Sequence, residues 1–204
     1  MSYERTKAQV ETTLKETGLD YIDLMLIHAP YGGRDARKGV WKALVEAKVE
    51  GKIRSLGISN YGVHHLAEME IYMQELEEES GKGMGGVIDV GQWELHPWLG
   101  RPEIVQWCEK RDIVLEAWSP LVRGERLSEK LLEPLTQKYR KTAAQILLRW
   151  SLQKGFVPLP KSVVPSRIEE NADIFDFELT TDEMEKLETG EYAPCSWDPT
   201  TSHD

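Results

Sequence analysis

The run Tyr21-Ile-Asp-Leu-Met-Leu-Ile27 limits the fold more than any other feature of the chain. It is almost continuously apolar, bounded by Asp20 and Pro30, and too short for an ordinary globular helix. A strand with one wet face alternates polar and apolar residues. A strand that is apolar throughout is buried on both faces, as in parallel sheets covered by helices. The flanking sequence supplies those helices. Val10, Leu14 and Leu19 stripe a polar stretch at 4–17 that Gly18 ends, and a second helical stretch at 41–50 stops at Gly51. The alternation then continues. Strands are expected at 53–59, 87–92, 113–118 and 156–160, and helices at 64–79, 102–110, 127–139, 142–153 and 166–173. Pro102 suits a first helical turn. Thr180 and Glu183 have capping-box spacing and open one more helix.

About five strand–helix units in succession, preceded by a helix, predict an α/β fold with a parallel sheet and right-handed crossovers. Two architectures compete, an open doubly wound sheet and a closed eight-stranded barrel. The open sheet usually carries a glycine-rich phosphate loop after its first strand. Here that position reads Ile27-His28-Ala29-Pro30. Polar residues instead stand at the C-terminal ends of several strands: His28, Ser59, Asn60, Gln92, Ser119, Lys161 and Ser162. That distribution is what the active-site face of a barrel needs.

Composition narrows the partners. With 35 acidic against 25 basic residues the net charge is -10, which disfavours a nucleic acid partner but leaves room for a local anion pocket. The two cysteines, Cys108 and Cys195, have no metal-ligand spacing; they read as free thiols in a reducing compartment, and no metal is expected. The N-terminus is polar and charged, and no run of about 18 apolar residues occurs. The expectation is a cytoplasmic protein that does not engage a membrane.

The strand ends also carry motifs. Asp20-Tyr-Ile-Asp-Leu-Met-Leu-Ile-His-Ala-Pro30 resembles the fourth-strand motif of the aldo-keto reductases. Gly51-Lys-Ile-Arg-Ser-Leu-Gly-Ile-Ser-Asn60 is similar to their fifth strand, Gln92-Trp-Glu-Leu-His-Pro97 to the sixth, and Glu116-Ala-Trp-Ser-Pro-Leu121 to the seventh. Leu159-Pro-Lys-Ser-Val163 with Arg167-Ile-Glu-Glu-Asn171 resembles the eighth strand and the helix that clamps the cofactor. Five motifs in the right order at the right intervals extend the resemblance over nearly the whole chain. It implies an incomplete (β/α)8 TIM barrel of the aldo-keto reductase type, strands four to eight of an N-terminally truncated member. Residues 1–187 would form the partial NADP-dependent oxidoreductase domain and 188–204 a C-terminal tail.

The resemblance also implies roles. The cofactor would be NADP(H) and the substrate a small carbonyl compound, an aldehyde or ketone reduced to an alcohol. Ser59, Asn60 and Gln92 would hydrogen-bond the nicotinamide carboxamide, which needs paired donors and acceptors. Trp118 would stack beneath the nicotinamide ring. Ser119 and Leu121 would line the pyrophosphate path. Lys161, Ser162 and Arg167 would hold the 2′-phosphate side, where concentrated positive charge is required. Glu170 and Asn171 would contact the adenine end. Val164 departs from the hydroxyl residue often found at its position, which loosens the expected preference for NADPH over NADH. Singly, such residues are ordinary caps and turn formers; the ordered set is what points to a cofactor. His64, His65 and His203 match no site of the family and read as surface residues. His96 reads as structural, and the acidic stretch at 75–79 as a solvated helix face.

Of the four catalytic groups the resemblance implies, only the His has a counterpart, His28. The Tyr acid with its Lys and Asp partners belongs to strands without a match here, and neither Tyr3 nor Tyr31 sits in the family motif. General acid help is worth about 10²–10⁴-fold, so catalysis is expected to be impaired. Open barrel edges predict aggregation or self-association. Three readings therefore stand side by side: a carbonyl reductase, a catalytically dead NADP(H)-binding pseudo-enzyme, and a non-functional fragment of a full-length reductase. The tail carries Tyr192 and Trp197, which would either wall a substrate pocket or cap the far end of the barrel.

Overall fold

The computed structural model describes residues 2–203. Its elements in chain order are α1 (Tyr3–Thr17), β1 (Ile22–Ile27), α2 (Gly33–Val49), β2 (Ile53–Ser59), α3 (Val63–Ser80), β3 (Val90–Glu94), α4 (Pro102–Glu109), β4 (Val114–Trp118), α5 (Glu133–Tyr139), α6 (Ala143–Gln153), β5 (Val157–Leu159), α7 (Pro165–Ala172) and α8 (Thr181–Leu187), with single 3-10 turns at Val122–Gly124 and Pro199–Thr201. The fold is α/β. The strands follow one another in a single sheet in chain order, β1-β2-β3-β4-β5, and the β1/β2 and β4/β5 pairs are parallel. The chain divides into two compact units. One holds the residues up to Gly91 with Lys110–Ile113 and the stretch from Asp198; the other holds Gln92–Glu109 and Val114–Trp197. Among the described residues no helix is long and apolar enough to cross a membrane.

In the first unit, β1 and β2 pair from Ile22↔Ile53 to Ile27↔Ile58. Gly57 is required there: a Cβ would stand 2.1 Å from Leu26 Cδ2 and 2.5 Å from the Val90 carbonyl. Helix α2 buries Val40, Trp41, Leu44 and Val45. The fully buried Trp41 indole donates to the Gly85 carbonyl at 2.7 Å, so its one polar atom is satisfied. The polar face of α2 meets α3. Arg37 forks onto Glu68 at 2.8 and 3.1 Å and also donates to the Pro30 carbonyl. Lys38 reaches Glu75 at 2.9 Å and Glu79 at 2.7 Å, and Arg34 pairs with Glu75.

Those pairs correct two expectations. Helix α2 begins at Gly33 rather than near 41, because residues 34–38 are fixed by carboxylates of α3 that local periodicity does not register. The acidic stretch at 75–79 is accordingly not merely solvated. Glu75 and Glu79 face α2, and Glu77 accepts the Gly83 and Gly85 N–H groups at 2.7 and 2.8 Å. His65 is a third correction: it is buried, and its Nδ1 accepts the Gly62 N–H at 3.0 Å, a capping role open to it because glycine at that position has no side chain to cap with.

In the second unit, β4 and β5 pair from Glu116↔Val157 to Trp118↔Leu159. Helix α6 starts in a capping box, with the Gln145 side chain accepting the Thr142 N–H at 2.9 Å, and it buries Ile146, Leu147, Leu148 and Trp150. Helix α8 opens at the expected Thr180–Glu183 box, where Glu183 accepts the Thr180 N–H at 2.8 Å. Helix α5 starts at Glu133, not at 127, because Pro134 tolerates only a first-turn position. The β3 strand starts at Val90, later than the expected 87, since the preceding Asp89 is held by the Leu56 N–H and Lys48 Nζ at 2.8 and 2.7 Å. The tail lies along the turn after β3: the Ala193 N–H donates to the Trp98 carbonyl at 3.0 Å, the Thr189 hydroxyl to the Pro97 carbonyl at 2.8 Å, and Leu99 bridges Tyr192. It therefore packs beside the C-terminal end of β3, with Tyr192 and Trp197 exposed.

Candidate cofactor and active site

A cavity of about 850 Å³ opens in the second unit between the loop after β4, the N-terminal turn of α6, the end of β5 and α7. Ser119, Leu121, Lys161, Ser162, Arg167, Glu170 and Asn171, seven of the eleven residues expected at a cofactor, line it. The elements explain why they meet. Strands β4 and β5 are adjacent and parallel, so the residues that follow each strand emerge side by side. Helix α7 then turns Arg167, Glu170 and Asn171 toward the same space.

The electrostatics of the cavity are unusual for an acidic chain. Arg123, Lys161 and Arg167 line it, and among the described residues none of the three makes a salt bridge. Glu170 is the one acidic lining residue, and its Oε1 already accepts the Thr142 hydroxyl at 2.7 Å. Three cations against one carboxylate leave the concavity net positive, which focuses positive potential and attracts a polyanion. Helix α7 buries no side chain, so its own packing does not account for its residues. Ser162 Oγ accepts the Val164 N–H at 3.1 Å and fixes the entry to that helix.

Backbone strain marks the same rim. Ser119 has φ 47, Val122 φ 48 and Arg123 φ 54, left-handed values that a β-branched or long side chain rarely adopts. Such residues persist only where the surroundings over-determine them, and they cluster at ligand sites. Sequence reasoning missed Arg123, Thr142 and Ala143 as lining residues. Arg123 was within reach of it, standing two positions beyond the Ser-Pro-Leu motif; the α6 residues had no sequence signal.

The remaining expected residues are placed differently. Gln92 donates to Glu116 Oε2 at 2.7 Å within the second unit, and Trp118, the last residue of β4, is half-buried. In the first unit, Ser59 and Asn60 are buried at the end of β2. Asn60 sits at φ 62, and its amide donates to the His28 carbonyl at 3.0 Å and to Ser59 Oγ at 2.9 Å, tying the ends of β1 and β2 together. The His28 imidazole is exposed and lines a smaller hollow of about 270 Å³ with Met25, Ala29, Tyr31 and Arg37. Cys108 is buried and Cys195 half-buried, and the two do not form a disulfide.

The profile described as the Aldo/keto reductase family matches residues 1–190. A glyoxal reductase of Bacillus subtilis is 45% identical over 186 residues, covering 91% of this chain and 63% of the relative. The methylglyoxal reductase DkgA of Escherichia coli is 40% identical over 187 residues, covering 91% of this chain and 64% of the relative. The chain thus spans just under two thirds of the length of these two curated relatives. A crystal structure of a Gox0644 mutant in complex with NADPH superposes with a TM-score of 0.84 at 33% identity, covering 100% of this chain and 72% of the other.

Proposed function

The chain belongs to the aldo/keto reductase family, and on that premise we propose that it binds NADP(H) in the cavity beside β4, β5 and α7 and serves the reduction of small aldehydes or ketones. The observation that carries this reading is the trio of unpaired cations, Arg123, Lys161 and Arg167, in a cavity of about 850 Å³. A dinucleotide with a 2′-phosphate is the polyanion that such a cavity suits, and pockets of about 300–1,000 Å³ are the usual size for ligands of this kind. An NADPH complex of a structural neighbour supports the choice of cofactor.

NADPH, when bound, supplies the hydride. The chain's own residues then bind and orient. Lys161 and Arg167 take the 2′-phosphate end, with Ser162 as a neutral donor beside them; Glu170 and Asn171 stand at the adenine side. Ser119 and Leu121 line the pyrophosphate path, and the strained backbone from Ser119 to Arg123 presents its groups without further reorganisation. Within the second unit, Gln92 is offered as a carboxamide partner and Trp118 as the flat surface for the nicotinamide. His28, exposed at the end of β1, is the residue proposed to orient the substrate carbonyl. The names of the two relatives, glyoxal and methylglyoxal reductase, favour a short dicarbonyl as the first substrate to test.

We propose further that turnover by these 204 residues alone is weak. The Tyr, Lys and Asp that the resemblance implies have no matching motif here, and a missing general acid removes about 10²–10⁴-fold. The test is a titration of the chain with NADPH, followed by tryptophan quenching, and then by absorbance loss on adding glyoxal. Saturable quenching with slow glyoxal-dependent oxidation is the expected result. Quenching without any oxidation favours the NADP(H)-binding pseudo-enzyme. A folded sample that shows no quenching overturns the assignment of the cavity.

A further inference from the structure

Three side chains able to hold a metal ion meet where the tail crosses the end of β3. Glu94 closes that strand, His96 follows two positions on, and Cys195 comes from the tail; their ligand atoms all lie within 4.8 Å of one another. Residues i and i+2 of an extended segment face the same side, which is why Glu94 and His96 converge. Both side chains are fully buried and Cys195 is half-buried. His96 Nε2 stands 3.0 Å from Glu94 Oε1, and the Cys195 N–H donates to that same oxygen at 2.7 Å. These contacts satisfy Oε1 only. Glu94 Oε2 and His96 Nδ1 are buried with no hydrogen-bond partner among the described residues.

An unsatisfied buried acceptor costs about 1–3 kcal/mol, more when it is charged, so a carboxylate oxygen left in this state beside an imidazole and a thiol needs a physical reason. Hydrogen bonding within the cluster does not supply one. An ion does.

We propose that Glu94, His96 and Cys195 form a zinc site that pins the tail to the C-terminal end of β3. One thiolate, one imidazole and one carboxylate are a donor set that zinc accepts, leaving a fourth position for water. Zinc–ligand bonds of about 2.0–2.3 Å put the donor atoms of a tetrahedral site roughly 3–4 Å apart, so the present cluster contracts only modestly on loading. Charge balances as well. A carboxylate and a thiolate together cancel a divalent cation, which lets the group stay buried. Coordination releases the Cys195 thiol proton to solvent, no electron moves, and affinity therefore rises with pH. None of its three residues lines the NADP(H) cavity, but the Cys195 side chain neighbours Ser119 and Arg123, which do.

The experiment uses the whole 204-residue chain, reduced and stripped of metal with a chelator. Zinc ion alone is titrated in by calorimetry, and cobalt ion is added separately to read the sulfur-to-metal charge-transfer band. The expected result is one ion per chain, a raised Tm, protection of Cys195 from alkylation, and at least tenfold weaker binding with no cobalt band in Cys195→Ser. That variant changes one atom of a half-buried tail residue, so it tests the site without disturbing the core; His96→Gln serves as a second variant. No saturable zinc binding overturns the proposal. So does binding that persists unchanged in Cys195→Ser, the outcome expected of adventitious capture by the exposed His64 and His203.

Discussion

The first unit around α2 and the cavity of the second unit use their basic residues in opposite ways, although the second unit also pairs cations outside that cavity, such as Lys138 with Glu183 and Lys141 with Asp173. In the first, Arg34, Arg37 and Lys38 of α2 all end on carboxylates of α3, Lys48 ends on Asp89, and Lys52 bridges Glu11 and Glu50. In the cavity of the second, Arg123, Lys161 and Arg167 make no salt bridge among the described residues. A cation that is already paired fixes helix against helix and has little left to offer a ligand. A cation held in a concavity without a partner repels its neighbours, and that cost is recovered only when an anion arrives. The contrast extends to the strand ends. Asn60 is locked onto His28 and Ser59, whereas Lys161 is exposed and Ser162 bonds only its own loop.

The comparison is broken or sharpened by substitution on each side. The largest effect is expected at Arg37, whose side chain is 7% exposed and whose loss leaves Glu68 and the Pro30 carbonyl without their donor. Arg37→Ala should cost roughly 3 kcal/mol in urea unfolding. Arg167→Ala should do the reverse: about tenfold weaker NADPH binding, near 1.4 kcal/mol, with unfolding stability within about 0.5 kcal/mol of the parent. If Arg167→Ala destabilised the fold as much as Arg37→Ala, the distinction between paired and unpaired cations would be wrong. Lys38→Ala, at a more exposed pair of contacts, should cost about 0.5–1 kcal/mol and lose that effect at high salt.

The smallest effect concerns acid. Burial pushes the Glu183 carboxyl up, but Lys138, Tyr139 and the Thr180 N–H outweigh it and hold the group down at about 2, from an ordinary 4.5. A depressed carboxyl contributes stability above its unfolded value and loses it as the pH falls through the folded one. The stability difference between the parent and Glu183→Gln should therefore be constant above about pH 5 and shrink between 4.5 and about 2, as followed by acid titration of circular dichroism.

Much of this was legible in the sequence because it is local. The apolar run of β1, the Thr180–Glu183 box and the stop at Gly18 are each settled within a few residues, and the structure has them where the pattern puts them, but β1 is not buried on both faces as the run predicts: Asp23 is exposed and the other five residues are half-buried. The start of α2 was not legible, because Arg34, Arg37 and Lys38 become helical by reaching carboxylates more than thirty positions away. His65 was misread for a related reason: its burial follows from a cap that Gly62 cannot make for itself. Among the site residues, those that follow β4 and β5 were readable as motifs, since parallel neighbours bring their C-terminal ends together. Thr142 and Ala143 join the cavity only through the packing of α6, and the meeting of Cys195 with Glu94 spans 101 positions, a distance at which spacing rules for metal ligands are silent.

The central claim is that the unpaired cations of the second unit recognise a 2′-phosphate. It is tested most directly by calorimetric titration of the chain with NADPH and with NADH, in the parent and in the double variant Lys161→Ala, Arg167→Ala. The prediction is tighter binding of NADPH than of NADH in the parent, and a loss of that preference in the double variant while NADH affinity changes little. Equal affinities in the parent, or a preference that survives removal of both cations, would contradict it.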